Sequence, residues 1–322
     1  MISTIIRKIG RPILMAVMVL GLWSAQVFAY EILIGTSSPD TFSSFTGRLI
    51  QRVLDRQAGI DCRTVQASGD IDNLTNLREG SLDMALIDSR MLYDAIHKTG
   101  NFEFLDIDYE NLRVLTALYD VPVTLITGKN RGISVLEDLK AKRINIGAPL
   151  SVQRLSFDTI LTAKRWSNKH FRLVSEISNS QGQDAMALCH GSVDAMIHIG
   201  VHPDPSLGQL FRLCKAKAAH MNDKSIDGLI ARHPAFSKFV IPPDTYISQT
   251  EAVETFATKV FLVASENLDE ETASQILETI YGNRRIFFNA HPSLILNRPD
   301  MKRMNLANFK LHKGAIRYFS VE

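Results

Sequence analysis

The sequence predicts an α/β protein of two lobes, each a mainly parallel sheet with helices on both faces, and a ligand cleft between the lobes. Short apolar runs alternate with helical patterns along most of the chain, which is typical of parallel sheets covered by helices. Two long extended runs interrupt this alternation and connect its two parts. The 322 residues also suffice for two hydrophobic cores.

The N-terminal segment has the pattern of a secretory signal peptide. Arg7, Lys8 and Arg11 precede an uncharged apolar run at 12–23, and small residues lead to Ala29. The apolar run has about 12 residues, whereas a membrane-spanning helix needs roughly 20. We therefore expect cleavage after Ala29 and export to the periplasm, with an uncleaved membrane anchor as the alternative.

Charge and motif content argue against several classes of protein. Three of the 36 basic residues lie in the signal segment, where no acid occurs, so 33 basic and 34 acidic residues remain and the net charge is −1. No basic stripe with interleaved aromatic residues indicates nucleic-acid binding. The sequence also lacks a P-loop, a glycine-rich dinucleotide motif, a zinc-protease motif and a serine-hydrolase elbow. We therefore expect neither an enzyme nor a bound cofactor.

Three strand–loop–helix units open the mature chain, with apolar strands predicted at 31–35, 62–66 and 83–87. The helix after the first strand carries apolar residues at helical spacing, namely Phe42, Phe45, Leu49 and Val53. Asp70 is expected to cap the second helix, and the third helix follows Asp88. The apolar pattern also places Phe45, Tyr93 and Trp166 in the core.

Two extended runs, at 114–127 and 258–264, are predicted to cross between the lobes. Pro122 lies in the middle of the first run and disfavours a central strand in which every N–H is paired. A hinged protein follows from two such crossings. We assign 30–128 plus 250–322 to lobe 1 and 129–249 to lobe 2.

The second lobe repeats the α/β pattern after a short predicted helix at 132–140. Strands are predicted at 143–147, 173–174, 194–199 and 210–213, and helices at 157–166 and 181–190. A helix at 270–283 and a helical tail end the chain. Cys189 and Cys214 flank one predicted strand and could form a disulfide, while the odd count of three cysteines leaves at least one thiol free.

An ordered set of motifs resembles the TAXI family of extracytoplasmic solute receptors, which serve TRAP transporters. The motifs are IGT at 34–36, SGDIDNL at 68–74, DMALIDS at 83–89, LEDLKAKR at 136–143, IGAP at 146–149, AHP at 290–292 and LHKGAIRY at 311–318. The resemblance implies a type II periplasmic binding protein. It also implies capture of a small solute, a carboxylate or an amino acid, and delivery to a permease driven by an ion gradient.

Two other functions remain open at the level of sequence. The same fold could serve as a sensor input that docks on a membrane histidine kinase, and a secreted enzyme could lack the familiar motifs. Genes for permease subunits or for a histidine kinase beside this one would separate transport from sensing. We expect the protein to act as a monomer, with the solute and the TRAP permease subunits as its partners.

The loops at the strand ends supply the candidate binding residues, because ligands of such sheets bind where strands end and helices begin. The candidates for ligand binding are Thr36, Ser37, Ser38, Ser68, Gly69, Asp88, Ser89, Arg90, Pro149, Ser151, Arg154 and His198. The serine and threonine residues have helix capping as an alternative role.

The charged candidates suggest what the solute carries. Arg90 and Arg154 can each grip a carboxylate through two parallel hydrogen bonds, or lie on a solvated helix face. An arginine together with Asp88 would suit an amino acid, whereas Asp70 in the cleft would repel an anion. His198 and His202 have no third ligand at a motif spacing, so no metal site is expected.

Overall fold

The computed structural model describes residues 31–56, 60–247, 249–294 and 309–320. The predicted signal segment at 1–29 lies outside these residues. The first part of the chain contains β1 (Glu31–Thr36), α1 (Phe42–Leu54), β2 (Asp61–Gln66), α2 (Asp70–Glu79), β3 (Met84–Asp88), α3 (Ser89–His97) and β4 (Leu112–Thr127). The three predicted strand–loop–helix units are therefore confirmed, and β1 pairs in parallel with both β2 and β3.

The second part continues the alternation. It contains β5 (Arg143–Asn145), α4 (Val152–Lys164), β6 (Leu173–Ser175), α5 (Gln183–Cys189), β7 (Ala195–Ile199), α6 (Pro205–Cys214), β8 (Lys217–Ala219), α7 (Lys224–Arg232) and β9 (Ser237–Ile241). The chain then returns through β10 (Val253–Ser265), α8 (Glu270–Gly282), α9 (Arg284–Ala290) and α10 (Lys313–Ser320). Parallel pairing joins β5 to both β6 and β7.

Several local predictions were wrong. The predicted strand at 210–213 belongs to α6, because Asp204 caps this helix by accepting hydrogen bonds from two backbone N–H groups and Pro205 favours its first turn. The predicted helix at 132–140 is only one 3-10 turn, Leu136–Leu139. Phe45 is 36% exposed, because its position on α1 faces away from the core.

The strands form one hydrogen-bonded sheet in the order β2-β1-β3-β10-β4-β7-β5-β6, with β8 paired to β4 and β9 paired to β10. The two groups of parallel strands meet through β4 and β10, which run antiparallel to each other in the middle. Pro122 does not interrupt β4, since it lies within the strand opposite Ala257. The two predicted extended crossings are thus these two strands.

Both crossing strands change their pairing partner and the hydrophobic core they pack in at the same height in the sheet. β10 pairs with β9 over Val253–Ala257 and with β3 over Val260–Ala264. Along β4, Tyr119 packs in the core of the first part and Val123 in the core of the second. Phe256 and Val260 divide β10 in the same way. Most of the hydrophobic packing therefore separates into two bodies that share these two strands, although Val201 and Ala235 of the second part pack in cores of the first.

Cys189 and Cys214 form a disulfide with a Cα–Cα distance of 5.1 Å. They are the last residues of α5 and α6, so the bond joins two helix ends rather than flanking a strand. Cys62 is a free, buried thiol. Burial, together with the carboxylates of Asp55 and Asp61, raises the pKa of Cys62 to about 12.

Candidate functional site

A cleft of about 590 Å³ lies where the two bodies meet at the crossing strands. Its walls come from loops at the ends of β1, β2 and β3, from the start of α4, and from the middle of β4 and β10. Such a position, outside the carboxyl ends of parallel strands, is where ligands of open α/β sheets bind. The cleft is therefore the candidate ligand site.

Half of the sequence-based candidates line this cleft. They are Ser37, Ser38, Ser68, Gly69, Asp88 and Arg90. The others lie outside the lining: Thr36, Ser89, Pro149, Ser151, Arg154 and His198. The tertiary structure thus brings together the three loops of the first part but does not bring the two arginines to one place.

Buried hydrogen bonds occupy the hydroxyl groups that lie outside the lining. The Ser89 hydroxyl is 1% exposed, donates to the carbonyl of Ala235 and accepts from the N–H of Lys259, each at 2.9 Å. Thr36 is fully buried beneath the first loop. Ser151 caps α4 by accepting from the N–H of Arg154 at 3.2 Å. These three residues stabilise the walls of the cleft.

The remaining outlying candidates have partners of their own or face solvent. The Arg154 guanidinium pairs with Asp158 at 3.1 Å and also with Glu176. Pro149 is exposed on the loop before α4. His198 lies with its Nε2 atom buried, 3.7 Å from a carboxylate oxygen of Asp204.

His202 sits deeper, between the hydroxyl groups of Thr124 at 2.8 Å and Tyr246 at 2.5 Å. Burial lowers the pKa of His202 to about 4, so this imidazole is neutral at pH 7. Within the described residues, no group of three or more His, Cys, Asp and Glu side chains is arranged to hold a metal ion.

Two carboxylates form the most polar part of the cleft. Asp70 does not cap α2, because Gly69 occupies the N-cap position of this helix. Instead, Asp70 Oδ2 accepts from the backbone N–H of Asp88 at 3.0 Å. Asp88 in turn caps α3 by accepting from the N–H of Arg90 at 2.9 Å, and accepts from the hydroxyl of Thr258 at 2.5 Å.

The pKa values of both carboxyl groups are raised. Burial is the main cause for Asp70, and the neighbouring carboxylate of Asp88 adds to it, so that the Asp70 pKa reaches about 7. Burial also raises the pKa of Asp88, against the opposing effect of its hydrogen bonds from Thr258 and Arg90. The surroundings of the pair therefore compensate its negative charge poorly.

Arg90 spans the cleft rather than pointing freely into it. Its Nη1 atom donates to the hydroxyl of Thr159 at 2.8 Å and to the carbonyl of Leu155 at 3.3 Å, both on α4. Its Nε atom lies 3.7 Å from a carboxylate oxygen of Asp94, and its plane lies over the ring of Phe236. The guanidinium thus links α3 to α4 across the cleft.

Sequence analysis did not identify several of the residues that line the cleft. Asp94, Asn101, Gln153, Asn179, Phe236 and Thr258 all line the cleft. Asn101 lies in a 3-10 turn and Asn179 on a loop, neither within a motif, and Thr258 lies inside a strand. Asp70 was the one residue with a usable signal, because it follows the second strand directly and lies within the SGDIDNL motif.

Comparison with known proteins gives a family and a fold. The sequence model of the NMT1-like family matches residues 44–320. MatC from Rhodopseudomonas palustris with bound malate superimposes with a TM-score of 0.53 at 13% identity, over 91% of this chain and 98% of that chain. A structure described for glutathione import via GshT and the cystine ABC importer TcyBC of Streptococcus mutans superimposes with a TM-score of 0.51 at 8% identity. The superposition covers 84% of this chain and 99% of that chain.

At these identities the two superpositions establish the fold alone. They confirm the predicted two-lobed α/β architecture, although the two predicted sheets are joined through β4 and β10 into one sheet in the described part of the chain. In the part of the chain that the structure describes, no helix combines the length and apolar character needed to span a bilayer.

Proposed function

Because this chain belongs to the NMT1-like family, we propose that it is an extracytoplasmic receptor that captures a small carboxylate or amino acid. The observation that carries this proposal is the cleft between two bodies that each have a core and are connected by the crossing strands β4 and β10. Two such bodies can close over a solute that contacts both, which shifts the population toward the closed state.

The proposed division into lobes keeps 30–128 plus 250–322 as lobe 1 and 129–249 as lobe 2. The crossing strands would form the hinge, with the change of core between Tyr119 and Val123 marking its level in β4. In the lining, Ser37, Ser38, Ser68 and Gly69 would contact the solute through hydroxyl and backbone N–H groups, alongside Asp88 and Arg90.

The proposed partner is a membrane permease of the TRAP type, which would read the closed shape of the receptor. The support is the ordered motif set that resembles the TAXI family. The proposed location is the periplasm, after removal of residues 1–29, and the receptor would act as a monomer. No catalytic step is part of this proposal.

Native mass spectrometry of the freshly purified mature protein tests the capture of a solute. We expect a bound small molecule whose removal is followed by an increase in the radius of gyration in X-ray scattering. Ser38→Trp, at an exposed position of the lining, should block rebinding, while Asp40→Trp, two residues further on and outside the lining, should not.

Failure of the protein to carry or rebind any small molecule, with identical scattering before and after extraction, would contradict the proposal. Delivery requires a separate measurement, namely solute uptake by cells that express the TRAP permease subunits with and without this receptor. Uptake that does not depend on the receptor, together with specific binding to a histidine kinase, would favour the sensor function.

A further inference from the structure

We propose that the solute carries a protonated amine, and that its ammonium group lies against the carboxylates of Asp70 and Asp88. This inference rests on the proposed function of the cleft and narrows the solute to amine-bearing compounds. Amino acids and simple amines meet this requirement, whereas 2-oxo acids and dicarboxylates do not.

The side chains that line the cleft have an excess of negative charge. Among the described residues, the charged ones that line the cleft are Asp70, Asp88, Asp94 and Arg90, three acids against one base. An anionic solute would enter a region with an excess of negative charge, and like charges a few ångströms apart in a partly buried site repel strongly. A cation would instead compensate this excess.

The one base among the described residues of the lining already has hydrogen-bond partners. Arg90 donates to two acceptors on α4, lies 3.7 Å from the Asp94 carboxylate and packs over an aromatic ring. A bidentate grip on a solute carboxylate needs two parallel N–H groups facing the cleft. Forming that grip would disrupt the link between α3 and α4 that holds the cleft together.

Asp70 has the free acceptor that an ammonium needs. Its Oδ2 atom accepts from the N–H of Asp88, and its Oδ1 atom has no hydrogen-bond partner among the described residues. Asp70 also makes no ion pair with any described basic residue. Asp88 has one oxygen bound to Thr258 and the other to the start of α3, so it contributes mainly its charge.

The walls around the pair favour an organic cation over a metal ion. Apolar side chains from α3, from the crossing strands and from β3 and β7 line the same cleft, namely Leu86, Met91, Val121, Val123, Ile199 and Val260. A hard metal cation needs six or more oxygen ligands, whereas an ammonium needs about three acceptors and an apolar surface for its carbon skeleton. The carboxylates and the nearby Thr258 hydroxyl can supply such acceptors.

The test compares matched solutes that differ in one charged group. For leucine, phenylalanine and alanine, the L-amino acid, the corresponding 2-oxo acid and the decarboxylated amine are titrated into the full mature protein at pH 8. Thermal shift and calorimetry measure binding. We expect amine-bearing compounds to bind and the matching 2-oxo acid to bind at least tenfold more weakly.

The variant Asp70→Asn removes the proposed charge partner with little change in size. We expect at least a tenfold loss of affinity for the bound amine, while Asp40→Asn removes one negative charge outside the lining and leaves affinity within twofold. Equal or tighter binding of a 2-oxo acid, or unchanged affinity in Asp70→Asn, would overturn the amine assignment while leaving solute capture intact. Absence of binding by all compounds, and of any extracted solute, would defeat both proposals.

Discussion

The Nη1 atom of Arg90 lies 2.8 Å from the hydroxyl oxygen of Thr159, and this hydrogen bond joins the first turn of α3 to α4 across the cleft. The two residues belong to the two different bodies that the crossing strands connect. We call this hydrogen bond the latch, and we expect its strength to influence how readily the cleft opens.

The latch predicts an effect of Thr159→Val, which keeps the shape of the side chain but removes the hydroxyl. One hydrogen bond contributes about 0.5–1.5 kcal/mol, so affinity for a captured solute should fall by roughly two- to tenfold. X-ray scattering of the unliganded variant should show a larger radius of gyration than the wild type.

The matched control for the latch is Thr162→Val, one turn further along α4. Its hydroxyl donates only to the carbonyl of Asp158 in its own helix, on an exposed face. If both variants gave the same radius of gyration and the same affinity, the Arg90–Thr159 contact would have no role in closure.

The raised pKa of Asp70 predicts how the stability of the empty protein changes with pH. The folded pKa is about 7 against an unfolded value of 3.8, so the folded state binds the proton more tightly. The contribution of this group to stability is therefore present below pH 3.8 and is lost as pH rises from about 4 to 7. Asp70→Asn should thus stabilise the empty protein at pH 8 by about 1–4 kcal/mol.

Urea unfolding of wild type and Asp70→Asn at pH 4, 6 and 8 measures this effect, and the stability difference should grow with pH. The titratable groups around Asp70 include Asp88, whose pKa is also raised, and the Tyr119 hydroxyl, whose pKa is raised by burial and further by both carboxylates. A difference that is constant between pH 4 and pH 8 would show that Asp70 does not titrate in this range.

The same titration predicts that an amine binds more weakly at lower pH. Below about pH 7 Asp70 becomes protonated and loses the charge that attracts an ammonium. Binding at pH 6 should release protons, which calorimetry detects as a dependence of the binding enthalpy on the ionisation enthalpy of the buffer. Affinity that stays the same from pH 6 to pH 8 would argue against a titrating partner.

The disulfide between Cys189 and Cys214 predicts a loss of stability on reduction. It closes a loop with a sequence separation of 25 residues, for which chain-entropy arguments give a contribution of about 3.5 kcal/mol. The double variant Cys189→Ser with Cys214→Ser should unfold at a correspondingly lower urea concentration. The folded, oxidised protein should show no thiol that reacts with a thiol reagent at pH 8, because Cys62 is buried and its pKa is about 12.

We expect Ser89→Ala to lower the stability of the fold rather than to remove a contact with the solute. The change leaves the buried carbonyl of Ala235 and the N–H of Lys259 without their side-chain partner, which costs about 1–3 kcal/mol. Chemical unfolding of this variant is compared with Ser81→Ala, an exposed position in the same part of the chain. Equal stability of the two variants would mean that the hydroxyl does not hold these segments together.

Local signals in the sequence were sufficient for most elements. Apolar runs with helical or strand periodicity located the three opening units and the helix at 270–283, because such patterns depend on neighbours within a few residues. The same reasoning failed at 210–213, where the apolar run is one face of a helix and the deciding signal was the cap at Asp204.

The sequence by itself determined the alternation of strands and helices, the two crossings and the polar loops at strand ends, since these features follow from local periodicity and turn chemistry. Only the tertiary structure decided which loops converge. Arg90 and Arg154 occupy similar positions after strand-end loops, yet one spans the cleft and the other pairs with Asp158. The meeting of Asp70 with Asp88 likewise depends on the order of strands in the sheet, because parallel neighbours bring distant segments of the chain to one edge.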